Sequence, residues 1–340
     1  PAPEGRRQGH APSGRSGDRS ACRVSLALRL VAATLALMLG ACSPNAPQNA
    51  AAPPPCPALP AQDYVWVPPA TVTIGEDSAL RPEEGPARQA TVAGFWIAAH
   101  EVTNAEFAAF VRATHYQSLA ERDPPVLPGA PSEMAQPGSA VFTAPDAANP
   151  MWWRWVVGAS WHHPHGPTNS SIAGKDRHPV VQIGYADALA YAHWAGKALP
   201  SEEQWESAAR QGGADPSEPV DAAGNPTANY YQGAFPSRDL ALDGYRGTAP
   251  VGCFAASRIG TYDMIGNVWE WTRDATRPGA DSPVSLQNVI KGGSYLCASN
   301  YCARYRPAAR QFQERSLGTD HIGFRLIDPN RPPPSASPPP

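Results

Sequence analysis

Proline and glycine recur so densely along this 340-residue sequence that few stretches are free to form a long helix or strand. The chain contains 40 Pro and 29 Gly residues. Proline removes a backbone donor, and glycine weakens both helices and strands. Long loops must therefore be held by packing rather than by continuous backbone hydrogen bonding. The sequence predicts an α+β fold, a single loop-rich domain with little regular secondary structure.

Three short helices are predicted between these loops. Thr103 with Glu106, and Ser201 with Gln204, match the capping-box pattern that begins a helix. The third helix is alanine-rich and runs from Asp187 to Trp194. The strand candidates are Tyr64 to Val67, Thr71 to Ile74, Val289 to Lys291, and the alternating Ile322, Phe324 and Leu326.

Composition places the chain among globular proteins and argues against a nucleic-acid partner. Hydrophobic residues make up 42% of the sequence and charged residues 17%, which is enough apolar material for a substantial core. The formal net charge of -3 gives no basic surface for a polyanion. We expect one large domain, no nucleic-acid partner, and a monomer.

The N-terminal region has the order of segments typical of an export signal. An arginine-rich polar stretch is followed by an apolar run from Leu30 to Leu39 and then by Gly40-Ala41-Cys42. The run is about half of the roughly 20 residues that a membrane-spanning helix needs. Leu39-Gly40-Ala41-Cys42 resembles the bacterial lipoprotein box, in which the cysteine is lipidated and becomes the new N-terminus. An ordinary secretory signal is the alternative.

These features predict four segments. Residues 1–41 form a lipoprotein signal peptide, and residues 42–61 form an Ala/Pro-rich tether whose composition cannot bury a core. Residues 62–328 form the folded domain, and residues 329–340 form a proline-rich tail. We expect the protein to be exported and lipid-anchored to the bacterial cell envelope.

Four cysteines remain after the signal and the lipidated residue are set aside: Cys56, Cys253, Cys297 and Cys302. An exported protein can form disulfides, but four cysteines are too few for a disulfide scaffold. Cys56 lies in the predicted tether, and Cys253 has no partner cysteine nearby in sequence, so neither is assigned a role. The spacing of Cys297 and Cys302 alone favours a local disulfide.

Several phrases, taken in order, resemble the sulfatase-modifying-factor family, to which the formylglycine-generating enzymes belong. They are Phe95-Trp96-Ile97, Glu101-Val102-Thr103-Asn104, His178-Pro179-Val180-Val181, Trp194-Ala195-Gly196-Lys197, Gly266-Asn267-Val268-Trp269-Glu270-Trp271, Lys291-Gly292-Gly293-Ser294-Tyr295 and Gly323-Phe324-Arg325. The resemblance extends from Tyr64 to Leu326 and implies that family's formylglycine-generating-enzyme, C-type-lectin-like fold. Most of these phrases mark the wider superfamily, which includes members of other chemistry and members with no known catalysis.

Two further phrases resemble the copper-dependent branch of formylglycine-generating enzymes. One begins at Trp152-Trp153, and the other contains Cys297 with Cys302 five residues later. The resemblance implies that this pair binds one copper(I), a soft cation for which thiolates are suitable ligands. A disulfide between the two cysteines remains the alternative, and the same pair could close as a disulfide without metal.

The resemblance also implies roles for residues around the cysteine pair. Ser294 and Trp269 match positions near the oxygen-binding site, and Tyr301 lies inside the cysteine loop; a turn hydroxyl and two core aromatic residues are the alternatives. Trp152 and Trp153 border the peptide groove in the family, although such a pair is more often found in a core. The family usually has His where this chain has Ala298, and Ser where it has Asn300, so we expect weakened turnover.

Two calcium sites are implied by the same resemblance. Side-chain oxygens of Asn229 and Asp243, with the carbonyls of Tyr230 and Tyr245, would form the first site. The second is expected from Asp263, Gly266, Val268 and Glu270, with the two middle residues contributing carbonyls. Hard oxygen ligands suit calcium, while capping of turns is the alternative role for these Asn and Asp side chains. Calcium would then explain how the loops are held without disulfides.

The family likeness therefore predicts an oxidase that uses copper(I), calcium and molecular oxygen. Its substrate would be a sulfatase polypeptide, in which the cysteine of a Cys-x-Pro-x-Arg segment is converted to Cα-formylglycine. One alternative is a superfamily oxidoreductase that modifies a secreted small molecule. The other is a non-catalytic structural or binding lipoprotein with the same fold.

Overall fold

Residues 55–59, 63–125, 129–146, 150–168, 170–214, 218–275 and 287–335 are described by a computed structural model of the protein. They all belong to the unit Ala50–Pro340. The predicted signal segment, Cys42 and most of the predicted tether lie outside the described residues. Within the described ranges, no helix has both the length and the apolar character needed to cross a membrane.

The three predicted helices are present, with α1 at Asn104–Thr114, α2 at Tyr185–Trp194 and α3 at Glu202–Gly212. The capping boxes at Thr103 and Ser201 both form. Each hydroxyl accepts a hydrogen bond from the backbone N–H three residues later, and the side chain of that later residue accepts one from the backbone N–H of the capping residue. α3 ends at Gly213, whose left-handed φ of 84° favours glycine.

The apolar residues that α2 buries are not the ones that the sequence prediction singled out. Leu189 and Trp194 are exposed on α2, whereas Ala188, Tyr191 and Ala192 are buried. Small alanine side chains allow the helix to pack closely, and the Tyr191 ring lies 5.9 Å from that of Phe107 in α1. The helix was predictable from its composition, but its buried face was not.

Thirteen short strands make up five small sheets among the described residues. The strands are β1 (Tyr64–Val67), β2 (Ala70–Ile74), β3 (Arg88–Val92), β4 (Phe95–Ala98), β5 (Gly138–Phe142), β6 (Trp153–Val157), β7 (Gly233–Ala234), β8 (Arg238–Asp239), β9 (Trp269–Ala275), β10 (Gln287–Lys291), β11 (Arg310–Glu314), β12 (Ile322–Gly323) and β13 (Ile327–Asp328). Strand order is β1-β4-β13 in one sheet and β11-β10-β9-β12 in another. The pairs β2-β3, β5-β6 and β7-β8 stand alone.

The predicted α+β, loop-rich architecture is confirmed, and three of the four strand candidates lie within β1, β2 and β10. The fourth, an alternating strand from Ile322 to Leu326, is wrong. This segment forms β12, which pairs in parallel with β9, and then leaves that sheet before β13 pairs with β4. Phe324 and Arg325 are both fully buried, so the segment does not alternate between core and solvent.

Two clusters of buried side chains form the core. One surrounds α1 and α2 and includes Trp269, Trp271 and Cys297. The other packs α3, through Trp205, against the β1-β4 region. The sheet β11-β10-β9-β12 contributes Trp269, Trp271 and Ile290 to the first cluster, and α3 of the second cluster contacts β9 and β10. The loop that follows β10 therefore leaves from a strand packed in the core.

A disulfide joins Cys56 to Cys253, which are separated by 197 residues in sequence. Cys56 Sγ also lies 3.3 Å from the Tyr245 hydroxyl. The expectation that the loops are held without disulfides is therefore wrong. No local sequence pattern indicated this disulfide, because it joins the predicted tether to a loop far along the chain.

Candidate functional site

The segment that carries the cysteine pair begins with two glycines directly after β10. Gly292 and Gly293 have positive φ values of 95° and 77°. A Cβ atom on Gly293 would lie 2.6 Å from the carbonyl oxygen of Arg304, so only glycine permits this close approach. The two glycines turn the chain from the sheet into the loop of Cys297, and they bring it against the loop segment at Arg304 that follows Cys302.

Cys297 and Cys302 are both free thiols, and their side chains are in hydrogen-bond contact. Cys297 is buried and Cys302 half-buried. Backbone hydrogen bonds fix the loop, since Cys297 N donates to Ser294 O at 2.9 Å and Ala303 N donates to Ala298 O at 2.9 Å. Two adjacent sulfur donors held on one ordered loop fit a soft, low-coordinate cation such as copper(I).

The two thiols differ in acidity. Burial raises the pKa of Cys297 well above its ordinary value. The hydrogen bond from Cys297 lowers the pKa of Cys302 to about 7, with help from the backbone N–H groups of Arg304 and Ala298 and in spite of burial. Near neutral pH Cys302 is therefore partly ionised while Cys297 keeps its proton, and the thiolate is the form that binds metals.

A groove of about 650 Å³ opens above the cysteine pair. It brings together all seven residues that the sequence predicted for catalysis and substrate binding, which are Trp152, Trp153, Trp269, Ser294, Cys297, Tyr301 and Cys302. Trp269 and Ser294 are buried at its floor, and Ser294 Oγ accepts a hydrogen bond from Leu296 N at 3.2 Å. The alternative of a core position for Tyr301 is not found, because this residue is 57% exposed.

Aromatic rings form one wall of the groove. Tyr301 stacks on Phe235 at 4.6 Å between ring centroids, and Trp152 meets both rings edge-on at 5.0 and 5.3 Å. Phe142 extends the wall toward Trp153, at 5.8 Å. The tryptophan pair therefore lies at a partly solvent-accessible groove rather than inside the core, as a surface that binds an extended peptide requires.

The two departures from the family pattern have different surroundings. Ala298 is fully buried and pairs with Tyr231 through an isolated bridge. Asn300 is exposed, and its amide exchanges hydrogen bonds of 3.3 and 3.4 Å with the backbone N–H and carbonyl of Phe235. Asn300 thus ties the cysteine loop to the aromatic wall. An added imidazole at position 298 would have to displace buried neighbours.

Arginines that follow Cys302 fasten a second loop beside the groove. Arg306 is buried and binds both carboxylate oxygens of Glu84 at 2.6 and 2.7 Å, and it also binds Glu76 at 2.7 Å. Arg304 pairs with Glu83 at 2.7 Å. Paired guanidinium and carboxylate groups of this kind give fixed geometry. They hold the 76–84 segment, which brings Leu80 and Arg81 to the groove.

Two of the four residues of the first predicted calcium set, Tyr230 and Asp243, contact the side-chain amide of Gln232. Its Nε2 atom donates to the carbonyl of Tyr230 and, at 2.8 Å, to Asp243 Oδ2. Asn229 is buried nearby and its Nδ2 donates to Gly247 O at 2.8 Å. A carbonyl and a carboxylate oxygen directed at one electropositive group form a donor set that fits calcium.

The second predicted calcium set lies in a region with several buried acids. The two oxygens of Glu270 each accept from Arg325 at 2.6 Å, and Trp205 Nε1 donates to the same carboxylate. Burial raises the pKa of Asp263 to about 6 and that of Glu101 well above its ordinary value. Glu101 Oε2 is buried without a hydrogen-bond partner. Arg325 pairs with Glu270 alone among these acids, and a divalent cation would favour the ionised forms of Asp263 and Glu101.

Within the described ranges, no three His, Cys, Asp or Glu side chains gather as a metal site. The predicted copper and calcium sites each rely on two side chains, and the calcium sites add backbone carbonyls. The calcium assignments stay predictions.

Several groove residues were missed at the level of sequence, among them Phe235, His321 and, from the 76–84 segment, Arg81. Phe235 lies far along the chain from the residues it stacks on, so no local pattern indicated it. His321 lies two residues before the Gly323-Phe324-Arg325 phrase. That proximity was its only signal in the sequence.

The profile of the Sulfatase-modifying factor enzyme 1-like domain matches residues 49–329. The chain is 44% identical over 278 residues to a formylglycine-generating enzyme of Mycobacterium tuberculosis, an alignment that covers 72% of this chain and 91% of that protein. It is also 36% identical to the inactive C-alpha-formylglycine-generating enzyme 2 of Mus musculus, over 72% of this chain and 78% of that protein. The resemblance read from the motifs is confirmed.

Among solved structures, PvdO from Pseudomonas aeruginosa is similar to this chain, with a TM-score of 0.55 and 26% identity. The match covers 78% of this chain and 93% of PvdO. The loop-rich α+β fold is therefore shared with a protein of solved structure. Since the relatives include a protein described as inactive, the residues of the groove must carry any argument for activity.

Proposed function

This chain belongs to the sulfatase-modifying factor family, and on that premise we propose that it is a copper-dependent oxidase of peptide cysteines. Its substrate is the cysteine of a Cys-x-Pro-x-Arg segment in a sulfatase, and its product is Cα-formylglycine. The observation that carries the proposal is the pair of adjacent free thiols, Cys297 and Cys302, in a groove of about 650 Å³ with an aromatic wall.

Cys297 and Cys302 would hold the copper(I). When bound, this metal supplies a soft site for a third sulfur ligand and reactivity toward molecular oxygen. The acidity of Cys302 favours metal binding near neutral pH, because its proton is already partly lost.

The other groove residues bind and orient the client peptide. The stacked rings of Tyr301 and Phe235, with Trp152 against them, offer an apolar wall for an extended chain. Trp269 and Ser294 close the floor beside the thiols and restrict water there. Excluding water strengthens polar contacts between the client cysteine and the groove.

The proposal is tested by coexpression with an exported sulfatase fragment that contains the client segment. We expect the client cysteine to be recovered as an aldehyde, and a fragment with serine at that position to stay unmodified. An unmodified cysteine in the presence of the folded wild-type protein would instead support the non-catalytic lipoprotein. Oxidation of a secreted small molecule alone would support the alternative function, that of a superfamily oxidoreductase that modifies such molecules.

We propose that calcium stabilises the loops around Asn229 and Asp243. A ligand that binds only the native state raises stability, by about 2.7 kcal/mol at 100 times its dissociation constant. Chelation should therefore lower the melting temperature, and Asp243→Asn should remove most of the calcium response. Asp123→Asn, at an exposed carboxylate, is the matched control and should leave it intact. An identical melting curve with and without chelator, for a calcium-free preparation, would contradict the site.

We propose that the mature protein begins at a lipidated Cys42 and is held at the cell envelope. The support is the apolar run followed by Leu39-Gly40-Ala41-Cys42. The expected result is an intact mass that includes the lipid and partition into the detergent phase. Cys42→Ser should partition into the aqueous phase. A wild-type protein cleaved at another residue and recovered without lipid would contradict the anchor.

A further inference from the structure

One imidazole lines the thiol groove, and the proposed function has not yet used it. His321 lies at the groove with Cys297, Cys302 and Trp269. Its ring centroid is 4.9 Å from that of Trp153, and its carbonyl accepts from Trp269 N at 2.9 Å. His321 is only 7% exposed, so the residues packed around it limit the movement of its ring.

Two neighbours engage the same nitrogen of this ring. His321 Nδ1 lies 3.3 Å from the Thr319 hydroxyl and 3.7 Å from Asp320 Oδ1. In the described part of the chain, Nε2 has no hydrogen-bond partner. When Nδ1 is the protonated nitrogen, facing the carboxylate, Nε2 is left with a lone pair that can accept a proton.

The carboxylate behind the ring is built into the fold. Asp320 is buried, and its Oδ2 accepts from Phe142 N at 3.1 Å and lies 3.4 Å from His165 Nδ1. Burial alone would raise the pKa of Asp320, but its contacts with His165 and His321 outweigh burial and lower it. An ionised carboxylate next to an imidazole stabilises the protonated ring that proton transfer creates.

Apart from the cysteine pair, which would hold the metal, the other polar groups in the groove are poorly suited to accept a proton. Arg81 and Arg304 carry guanidinium groups, which donate hydrogen bonds and have no acceptor atom. Burial raises the pKa of the Tyr301 hydroxyl, which is therefore a donor at neutral pH. Ala298 contributes no acid or base. The neutral imidazole of His321, with one unprotonated ring nitrogen, is the proton acceptor in this set.

We propose that His321 is the proton acceptor for the client cysteine, an inference that rests on the proposed oxidase function. As the client binds, the S–H bond of its cysteine breaks, a bond forms between that proton and His321 Nε2, and the electron pair remains on sulfur. Asp320 positions the ring and balances its positive charge. The client thus reaches the cysteine pair as a thiolate.

The test compares His321→Asn with wild type across pH, using a Cys-x-Pro-x-Arg peptide and copper(I)-loaded protein. At neutral pH we expect kcat/KM to fall about 10²-fold, the effect typical of a lost acid-base group. The deficit should shrink as pH rises past the ordinary thiol pKa of about 8.5, since the client then ionises unaided. Copper(I) affinity and melting temperature should stay at wild-type values. If the Asn variant is unstable, His321→Gln serves in its place.

His193→Asn is the control, because His193 is exposed on α2 and lies outside the groove. We expect less than about 3-fold change, within the scatter of a group outside the chemistry. The titratable and charged groups that could also shape the pH profile are Asp320, His165, Arg81, Arg304, Tyr301 and the cysteine pair, which both variants retain. A loss in His321→Asn that is the same at every pH, no loss at all, or an equal loss in His193→Asn would overturn the assignment. A wild-type protein that leaves the peptide unchanged would instead show that the oxidase function itself is wrong.

Discussion

Cys297→Ser and Cys302→Ser are each expected to lose copper(I) binding and to reduce peptide oxidation to less than about 10⁻³ of the wild-type rate, as for removal of a group essential to the chemistry. Serine keeps the shape of the side chain but replaces the soft sulfur donor with a hard oxygen. A single remaining thiolate cannot hold the metal at the groove floor. The measurement is copper(I) stoichiometry of the reduced protein, together with peptide turnover.

The chain supplies its own control in the second cysteine pair. The Cys56→Ser, Cys253→Ser double variant removes the disulfide and should cost about 2–4 kcal/mol of stability. It should nevertheless bind one copper(I) and turn over, because neither residue is at the groove. Full activity in Cys302→Ser, or loss of copper in the disulfide variant alone, would contradict the assignment of the metal to Cys297 and Cys302.

Arg325→Met is expected to lower the free energy of unfolding by about 3–5 kcal/mol, the cost of leaving buried charge without its partner. Arg325 is fully buried and donates to both oxygens of Glu270 and to the carbonyls of Tyr262 and Asp263. Methionine fills similar space but cannot compensate the nearby acids. Chemical denaturation at fixed calcium concentration measures the loss.

Arg88→Met provides the comparison, because its ion pair with Glu203 is 2.6 Å long but substantially exposed. That substitution should cost less than about 1 kcal/mol. Adding Glu270→Gln to Arg325→Met should recover part of the larger loss, since it removes one of the uncompensated charges. Equal costs for Arg88→Met and Arg325→Met would contradict the role assigned to the buried pair.

Local signals in the sequence predicted local structure well. The capping boxes at Thr103 and Ser201 fixed where α1 and α3 begin, because their hydrogen bonds join residues only three positions apart. The cysteine loop was identified by its family phrase, and the left-handed backbone of Gly292 and Gly293 at its start was found only in the structure.

Features that depend on distant partners were not predictable. The disulfide joins residues 197 positions apart, and nothing in the surroundings of Cys56 indicates Cys253. The alternating segment from Ile322 to Leu326 read as one strand, but it passes from one sheet to another and is buried on all sides. Tertiary packing overrides a two-residue period in such a segment.

The groove itself shows both outcomes. Its cysteines and tryptophans were indicated by family motifs, whereas Phe235 and His321 line the groove but belong to none of those motifs. Resemblance to a family identifies the site residues that its members share. The residues that complete this particular groove became apparent only when the loops were placed in space.

The most direct test of the central claim is the mass of a Cys-x-Pro-x-Arg peptide after incubation in air with the reduced, copper(I)-loaded protein. The account predicts that the cysteine thiol is replaced by an aldehyde, that a matched peptide with serine is unchanged, and that the metal-free protein is inactive. A folded wild-type protein that binds no copper(I), or that binds it and returns the cysteine peptide at its original mass, would contradict the account.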